Sequence, residues 1–196
     1  MEEESVQRTV DLLAGAARGE APAVEALLPV VYKELRALAG SFMRSDRAMH
    51  TLQPTALVHE AYLKLIGPGV NGARDRAHFM AIAGTAMRQI IIDHAERRRT
   101  AKRGGAWNRV PLTGLVGSGA EERVIDALDL DGVLRKLAEL DERKARVVEL
   151  RFFAGMSVPE VAEVLGTSVS TVEADWRFAR SWLSRELNAL QGDQSP

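Results

Sequence analysis

Cysteine is absent from this 196-residue chain, which excludes disulfide bonds, a thiolate nucleophile and zinc sites built from cysteine. The four histidines are scattered, so they do not indicate a metal-binding cluster. Long apolar runs are also missing, and none approaches the roughly 18 residues that a membrane-spanning helix needs. The first residues, MEEES, lack the basic and apolar segments of a signal peptide, so we expect a cytoplasmic protein.

Strand patterns are weak, whereas helical periodicity recurs along most of the chain. We therefore predict an all-α fold of two small helical domains joined by a flexible linker. The domains are expected at residues 1–103 and 122–190, with the glycine-rich linker at 104–121 and a short tail at 191–196. Helices are expected at 6–18, 23–44, 54–66, 77–103, 124–139, 142–154, 159–165 and 169–190.

The net charge of −1 hides a segregation of charge along the chain. Residues 88–109 contain seven arginines or lysines and two acids, whereas residues 121–149 contain nine acids and six bases. A localised basic stripe predicts contact with phosphate at one place on the protein. A solvated helix end is the alternative, because cations are also favourable at a helix C-terminus.

Residues 141–187 have the local signals of a helix-turn-helix. Ser157 and Glu160 are spaced as a capping box, and Pro159 fits the first turn of the helix that they begin. Gly166 can end that helix in left-handed backbone, and Ser168 can cap a second helix. This tight spacing favours DNA as the ligand. Two amphipathic helices that only pack together are the alternative.

The second of these helices should bury one face and expose the other. Residues at helical spacing are predicted to face the core, namely Val172, Trp176, Ala179 and Leu183. In a helix-turn-helix, the N-terminal part of the exposed face enters the major groove, where polar side chains match the base edges. The base-contact candidates on that face are Ser170, Thr171, Glu173, Ala174 and Arg177.

Two short patterns suggest other functions but lack the required context. Residues 67–72, GPGVNG, match a dinucleotide-binding glycine pattern, yet a helix rather than a strand is predicted before them. His59 and Glu60 begin like a zinc-protease motif, but Leu63 stands where the second zinc ligand would be. We therefore predict no enzyme activity, no metal and no cofactor.

Three segments in order resemble bacterial RNA polymerase sigma factors of the extracytoplasmic-function (ECF) type. LQPTALVHEAYLKLIG at 52–67 resembles the helix that docks on the clamp helices of the polymerase β′ subunit. HFMAIAGTAMRQIIIDHAERRRTAKRGG at 78–105 resembles the helix pair that melts and reads the minus-ten promoter element. Residues 141–187 resemble the domain that reads the minus-thirty-five element and contacts the β flap. The TALVHEAYLKL and DWRFAR segments are typical of an ECF-like subgroup.

This resemblance implies a sigma factor that binds core RNA polymerase and directs promoter-specific transcription initiation, while the polymerase supplies the catalysis. Core RNA polymerase and promoter DNA are the implied partners, with an anti-sigma factor as a further candidate and no membrane. The implied minus-ten contacts are Arg88, Gln89, His94, Arg97 and Arg98. The arginines would contact phosphates, and Gln89 and His94 would lie nearer the bases.

The clamp-docking helix should have one polar and one apolar face. Its predicted core residues are Leu57, Val58, Ala61, Tyr62 and Leu65. The candidates for polymerase contact are Gln53, His59, Glu60, Leu63 and Lys64, with a merely solvated helix face as the alternative. By the same resemblance, the linker at 104–121 would thread the channel through which RNA leaves.

Two positions depart from the family pattern. Ala56 stands where many ECF factors have an acidic residue in the clamp-docking helix, so that electrostatic contact is expected either to come from Glu60 or to be replaced by another contact. Ile82 replaces an aromatic residue of the melting helix, so base stacking is expected from Phe79 or the preceding loop.

The rival function is a free-standing transcriptional regulator that uses the helix-turn-helix alone. Such a regulator would bind its site tightly without polymerase, and it would leave residues 52–105 without a role.

Three cations near the start of the C-terminal domain are either phosphate contacts or the outer face of a helix, namely Arg143, Lys144 and Arg146.

Overall fold

The computed structural model describes residues 11–12, 14–16, 18, 20–42, 53–66, 75–101, 109–112, 115 and 124–192. Three of its helices precede a short β-ribbon: α1 at Ala21–Phe42, α2 at Pro54–Ile66 and α3 at Arg76–Ala101. The ribbon consists of β1 at Arg109–Pro111 and β2 at Val124–Asp126. Four helices follow it: α4 at Ala127–Leu140, α5 at Glu142–Val148, α6 at Val158–Leu165 and α7 at Val169–Gly192. The all-α fold class is thereby confirmed.

The first predicted helix, at 6–18, lies partly outside the described residues, and its backbone is helical at 11–12 and 14–16. In the part of the chain that the structure describes, none of the helices is both long and apolar enough to cross a bilayer. The β-ribbon was not predicted, because strands of three residues are too short to show an alternating pattern.

Helix α3 lies at the centre of the structure. Asp75 caps its start, because the Asp75 carboxylate accepts a 2.7 Å hydrogen bond from the His78 backbone N–H. Its buried side chains point in several directions, from Phe79 and Ala81 near the start to Ala95 near the end. A helix that is apolar on more than one side is enclosed by its neighbours. Helix α3 accordingly packs against α2 on one side and against α4, α6 and the segment after α5 on the other.

The predicted helix at 142–154 is divided in two. Helix α5 ends at Val148, and a π-helical turn follows at Glu149–Phe153, in which the Ala154 N–H donates to the Glu149 carbonyl. A π turn contains one residue more than an α turn. This wider turn contacts α3 and places the Phe153 ring 5.5 Å from the guanidinium carbon of Arg88.

The described part of the predicted linker is packed against the helices. Strands β1 and β2 are antiparallel, with Arg109 opposite Asp126 and Pro111 opposite Val124. Beyond β1, Leu112 and Leu115 are buried, and the Leu115 carbonyl accepts a 3.4 Å hydrogen bond from Arg180 Nε of α7. This segment is therefore fixed to the C-terminal helices.

One hydrophobic core extends through both halves of the chain. It includes residues of α1, α2 and α3 as well as Leu130 of α4 and Leu187 of α7. A second cluster joins Ala81 of α3 to Val161 of α6 and Val172 of α7. The N-terminal and C-terminal helices are thus in direct contact in this structure.

Candidate DNA and polymerase contact surfaces

The turn between α6 and α7 has the geometry that the sequence predicted. Ser157 N–H donates to Glu160 Oε2 at 2.7 Å, and the Glu160 N–H donates to Ser157 Oγ at 3.4 Å, which completes the capping box. Gly166 then ends α6 with φ 61° and ψ 38°, a left-handed conformation. Ser168 Oγ accepts a 3.1 Å bond from the Thr171 N–H at the start of α7. The helix-turn-helix prediction is confirmed at each of these positions.

Helix α7 buries one side and presents the other to solvent. On its inner side Val172, Ala179 and Leu183 are fully buried and Trp176 is half-buried, as predicted. The base-contact candidates form what we call the reading face: Ser170, Glu173, Ala174 and Arg177 are exposed, and Thr171 is half-buried. The amino acids of this face are accessible to a DNA major groove in the conformation described.

The reading face continues along α7 further than the sequence analysis indicated. A shallow groove of about 500 Å³ follows it, lined by Arg177, Arg180, Ser181, Ser184, Arg185 and Asn188. Guanidinium, hydroxyl and amide groups can all donate hydrogen bonds, a composition that suits phosphate oxygens. The recurrence of arginine and serine at intervals of three and four residues is the sequence signal for this extension.

A buried carboxylate fixes α7 to the start of α5. Asp175 is 4% exposed, and it accepts hydrogen bonds from Arg143 Nε at 2.6 Å and Arg143 Nη2 at 3.2 Å. Lys144 Nζ lies 3.3 Å from Asp175 Oδ1, the oxygen that also accepts from Arg143 Nη2. Burial alone would raise the pKa of Asp175, but the bonds from Arg143 and Lys144 outweigh it and lower the pKa. The sequence analysis missed Asp175.

The same contacts hold Arg143 and Lys144, which are two of the three cations that the sequence analysis considered as phosphate contacts. The Arg143 side chain is 54% exposed although its guanidinium is paired, whereas the Lys144 side chain is only 18% exposed. Lys144 is further paired with Asp141, and its ammonium lies 5.3 Å from the centre of the exposed Phe178 ring. Hydrogen bonds from Lys144 lower the pKa of Asp141. Arg143 is therefore the more accessible of the two cations.

The minus-ten candidates lie on α3 but differ in accessibility. Gln89 and Arg97 are exposed, His94 is half-buried, and the side chain of Arg98 lies outside the described residues. Gln89 Nε2 donates to Asp93 Oδ1 at 2.7 Å, and this bond is the main reason that the pKa of Asp93 is lowered. Arg97 Nε donates to the Asp93 backbone carbonyl at 3.1 Å.

Arg88 is enclosed between the two halves of the chain. Its side chain is only 17% exposed, and Nη2 lies 2.6 Å from Asp131 Oδ1 of α4. Nη1 pairs with Glu149 at the start of the π-helical turn. Arg88 is therefore not accessible to DNA in this arrangement, although it lies on the predicted helix.

The polar face of α2 is solvent-exposed. Gln53, His59, Glu60, Leu63 and Lys64 are all exposed, and Leu63 has 69% of its surface accessible. The opposite side is buried as predicted, with Tyr62 half-buried. Lys64 Nζ lies 3.3 Å from Asp93 Oδ2, so Asp93 connects this face to Gln89 of α3.

Phe79 does not take the place of the missing aromatic residue in this structure. It is 2% exposed and belongs to the core, so its ring cannot stack on a base in this conformation. The preceding loop, apart from its last residues, lies outside the described residues. Within the described residues no group of histidine, aspartate and glutamate side chains is arranged to hold a metal ion.

Comparison with known proteins gives two curated relatives, both named RNA polymerase sigma factors. CnrH of Cupriavidus metallidurans is 34% identical over 121 residues, which cover 62% of this chain and 57% of the relative. NccH of Alcaligenes xylosoxydans xylosoxydans is 37% identical over 73 residues, which cover 37% of this chain and 39% of the relative. The matched region is thus little more than half of CnrH and about two fifths of NccH.

A solved structure of CnrH in complex with the cytosolic domain of CnrY is 24% identical to this chain. The match covers 93% of this chain and 98% of that one, with a TM-score of 0.42. The family model for ECF sigma factors matches residues 6–189, and the chain therefore belongs to the ECF sigma factor family.

Proposed function

We propose that this protein binds core RNA polymerase and directs it to specific promoters. The family match over residues 6–189 is the observation that supports this function most directly, because it includes both α2 and the helix-turn-helix. A free-standing regulator would use α7 alone. It would leave the exposed polar face of α2, with Leu63 at its centre, without a function.

In this proposal the reading face of α7 recognises the minus-thirty-five element. Arg177 can donate two parallel hydrogen bonds to a guanine edge, and Glu173 can accept from a cytosine amino group. Ala174 leaves room for the backbone of α7 to approach the bases. The arginines and serines further along α7 then contact phosphate, which adds affinity without sequence preference.

Helix α3 recognises the minus-ten element in its opened form. Unstacking a base costs a few kcal/mol, and contacts that only the opened strand can make must offset this cost. In this proposal Gln89 and His94 contact bases, while Arg97 and Arg98 contact phosphates. This action is differential binding, so the protein itself is not an enzyme and the polymerase performs the chemistry.

The exposed face of α2 contacts the β′ clamp helices. Leu63 supplies apolar area at the centre of this face, and His59, Glu60 and Lys64 supply polar contacts around it. The bond between Lys64 and Asp93 connects polymerase binding to the helix that reads the minus-ten element.

Reconstitution tests this function. The purified chain is combined with core RNA polymerase on a library of promoter fragments, and specific transcripts are sequenced. We expect initiation at a defined set of promoters, and weak promoter binding by the chain without polymerase. Failure to associate with core enzyme together with no specific transcript would refute the proposal, and tight promoter binding without polymerase would favour a free-standing regulator.

A further inference from the structure

An exposed aromatic ring lies on α7 beside the reading face. Phe178 has 45% of its surface accessible, and it follows Arg177 directly in the sequence. Among the described residues, the other large apolar side chains that are exposed are all aliphatic, namely Val30, Leu63, Leu140 and Val169. A single exposed apolar residue is ordinary on a protein surface. What distinguishes Phe178 is its position on the helix proposed to read DNA.

The exposed side of α7 contains two rows of different chemistry. Residues four positions apart follow one another along a helix surface. Glu173 and Arg177 form one such row, and Ala174 and Phe178 form the next. All four side chains are exposed, so that a charged row and an apolar row lie side by side. We call Ala174 and Phe178 the apolar row.

The Phe178 ring is held on one side by a buried cation. Lys144 Nζ lies 5.3 Å from the ring centre, a distance at which an ammonium is attracted to an aromatic ring. The Lys144 side chain is only 18% exposed, and Asp141 and Asp175 both pair with it. Because Lys144 is itself fixed, the ring is held in place before any ligand arrives. A ligand that contacts Phe178 therefore loses little free energy in ordering it.

Cations border the apolar row. The Arg143 side chain at the start of α5 is 54% exposed, and Arg177 and Arg185 of α7 are exposed as well. Arg185 lies two turns beyond Phe178 on the same side of the helix. An apolar ring between cations suits a ligand that combines phosphates with apolar groups. Duplex DNA has this combination, since phosphates flank the major groove and base edges form its floor.

Only one base edge in the major groove offers an apolar group. Guanine, cytosine and adenine present hydrogen-bond donors and acceptors there, whereas thymine presents its C5-methyl group beside one acceptor. Apolar side chains, phenylalanine among them, contact that methyl group in protein–DNA complexes. The apolar row is therefore matched to thymine, just as the charged row is matched to hydrogen-bonding base edges.

From these observations we propose that Phe178, together with Ala174, selects thymine in the minus-thirty-five element through the C5-methyl group. The selected thymine lies close to the base pair that Arg177 contacts, because the two residues are consecutive on α7. Arg177 selects by hydrogen bonds and Phe178 by apolar contact, so their preferences concern different base pairs. This inference rests on the proposed function of α7 in promoter recognition.

Removing the methyl group from the DNA tests the contact directly. The upstream element of a promoter found by reconstitution is prepared with each thymine in turn replaced by deoxyuridine, which differs only in lacking the methyl group. Competition binding by the holoenzyme is then measured for every substituted promoter. For the wild type we expect about fourfold weaker binding at one or two of these positions, the loss that corresponds to one apolar carbon left in water.

Phe178→Ala should abolish this dependence on the methyl group. We expect the variant to bind the thymine promoter at least fourfold more weakly than the wild type, and to bind the thymine and deoxyuridine promoters equally. The two losses are then not additive, which is the signature of a direct contact. Circular dichroism verifies that the variant is folded. If Phe178→Ala does not fold, Phe178→Gln, which keeps a long side chain without the apolar ring, provides the result.

Two controls separate this contact from general effects. Leu140→Ala removes another exposed apolar side chain, 59% accessible at the end of α4, and should leave both the affinity and the methyl dependence unchanged. Arg185→Ala should weaken binding to all promoters while the fourfold methyl dependence remains, since a phosphate contact does not distinguish bases.

Three results would overturn the proposal. The first is a wild type that is indifferent to the methyl group at every thymine, or an upstream element that contains no thymine. The second is a Phe178→Ala variant that keeps the full methyl dependence. The third is a Phe178→Ala variant that binds core polymerase more weakly without DNA and keeps that dependence, which would assign the ring to a protein contact. Specific transcription without methyl dependence refutes this inference alone, whereas no specific transcript from the wild type refutes the proposed function and this inference with it.

Discussion

Asp175 is a buried carboxylate on the inner side of the helix proposed to read the minus-thirty-five element. Its two oxygens are shared between Arg143 and Lys144 at the start of α5. Apolar packing would permit α7 to rotate or slide by small amounts, whereas a two-pronged Arg143 contact fixes both position and angle. Asp175 therefore determines how the reading face is presented.

Replacing Asp175 by asparagine should destabilise the fold. We expect Asp175→Asn to lower the free energy of unfolding at pH 7 by about 2 kcal/mol, because Lys144 keeps its charge in a poorly exposed position without this partner. Urea denaturation followed by circular dichroism gives the value. Glu173→Gln, an exposed carboxylate two positions earlier on α7, is the control and should change stability by less than about 0.5 kcal/mol.

The same substitution should change the response to acid. The folded pKa of Asp175 is lowered, so its stabilisation is complete above the unfolded value of about 3.9 and is lost as the pH falls through the folded value. The difference in unfolding free energy between wild type and Asp175→Asn should therefore narrow below about pH 4. An unchanged difference between pH 7 and pH 3 would contradict this assignment of the charge.

Arg177 and Arg185 are both exposed arginines of α7, but they are expected to contact different parts of the DNA. Arg177→Ala should remove about 1–3 kcal/mol of discrimination at one base pair of the upstream element, since Arg177 lies on the reading face. Arg185→Ala should weaken binding equally for all sequences and flatten its salt dependence. Competition binding of the holoenzyme to a set of single-base promoter variants distinguishes the two, and equal losses on every sequence from Arg177→Ala would exclude base recognition.

At the scale of elements, the α6–α7 turn depends on two local devices, a capping box and a left-handed glycine. Ser157→Ala should lower stability by about 1 kcal/mol, because a backbone N–H at the start of α6 loses its acceptor. Gly166→Ala should cost about 1 kcal/mol through its backbone alone, since a Cβ there has no neighbour within 4 Å.

Each change should lower the melting temperature by about 2–4 °C in differential scanning calorimetry. Gly132→Ala, in the interior of α4 and also without neighbours, serves as the control and should raise it slightly. A larger effect of Gly132→Ala than of Gly166→Ala would show that backbone conformation at Gly166 is not the cause.

The elements that the sequence predicted correctly are those that depend on local chemistry. The cap at Ser157, the end at Gly166 and the apolar side of α2 each follow from residues within a few positions of one another. The position of Arg88 does not, since its partners are 43 and 61 residues away along the chain. The segregation of basic and acidic residues along the sequence was the available signal for these partners. It indicates that a basic segment pairs with an acidic one, but it does not identify the side-chain atoms that meet.

The same limit applies to the buried carboxylate and to the ribbon. Asp175 lies on the core side of α7, where a single acid in the sequence gives no sign that two cations of α5 meet it. Strands β1 and β2 pair across residues that contain glycine and look like an ordinary loop. Both features depend on contacts between distant segments, which only the folded chain defines.

At the scale of the whole molecule, the continuous core predicts cooperative unfolding. Because core residues of α1, α2 and α3 pack with Leu130 and Leu187, neither half can lose its structure without exposing apolar surface on the other. We expect a single transition, with hydrogen exchange protection of α2 and α5 lost at the same urea concentration. Two separate transitions in the wild type would show that the shared core contributes little.

The pairing of Pro111 with Val124 has a consequence for distance. It brings together the two ends of residues 112–123, which are thereby separated by only about 5 Å. An extended chain spans up to about 3.5 Å per residue, so the same segment could reach about 40 Å once the two strands part. Separation of β1 from β2 would therefore lengthen the connection between the two halves of the chain. It would let α3 and α7 move apart while they remain covalently joined.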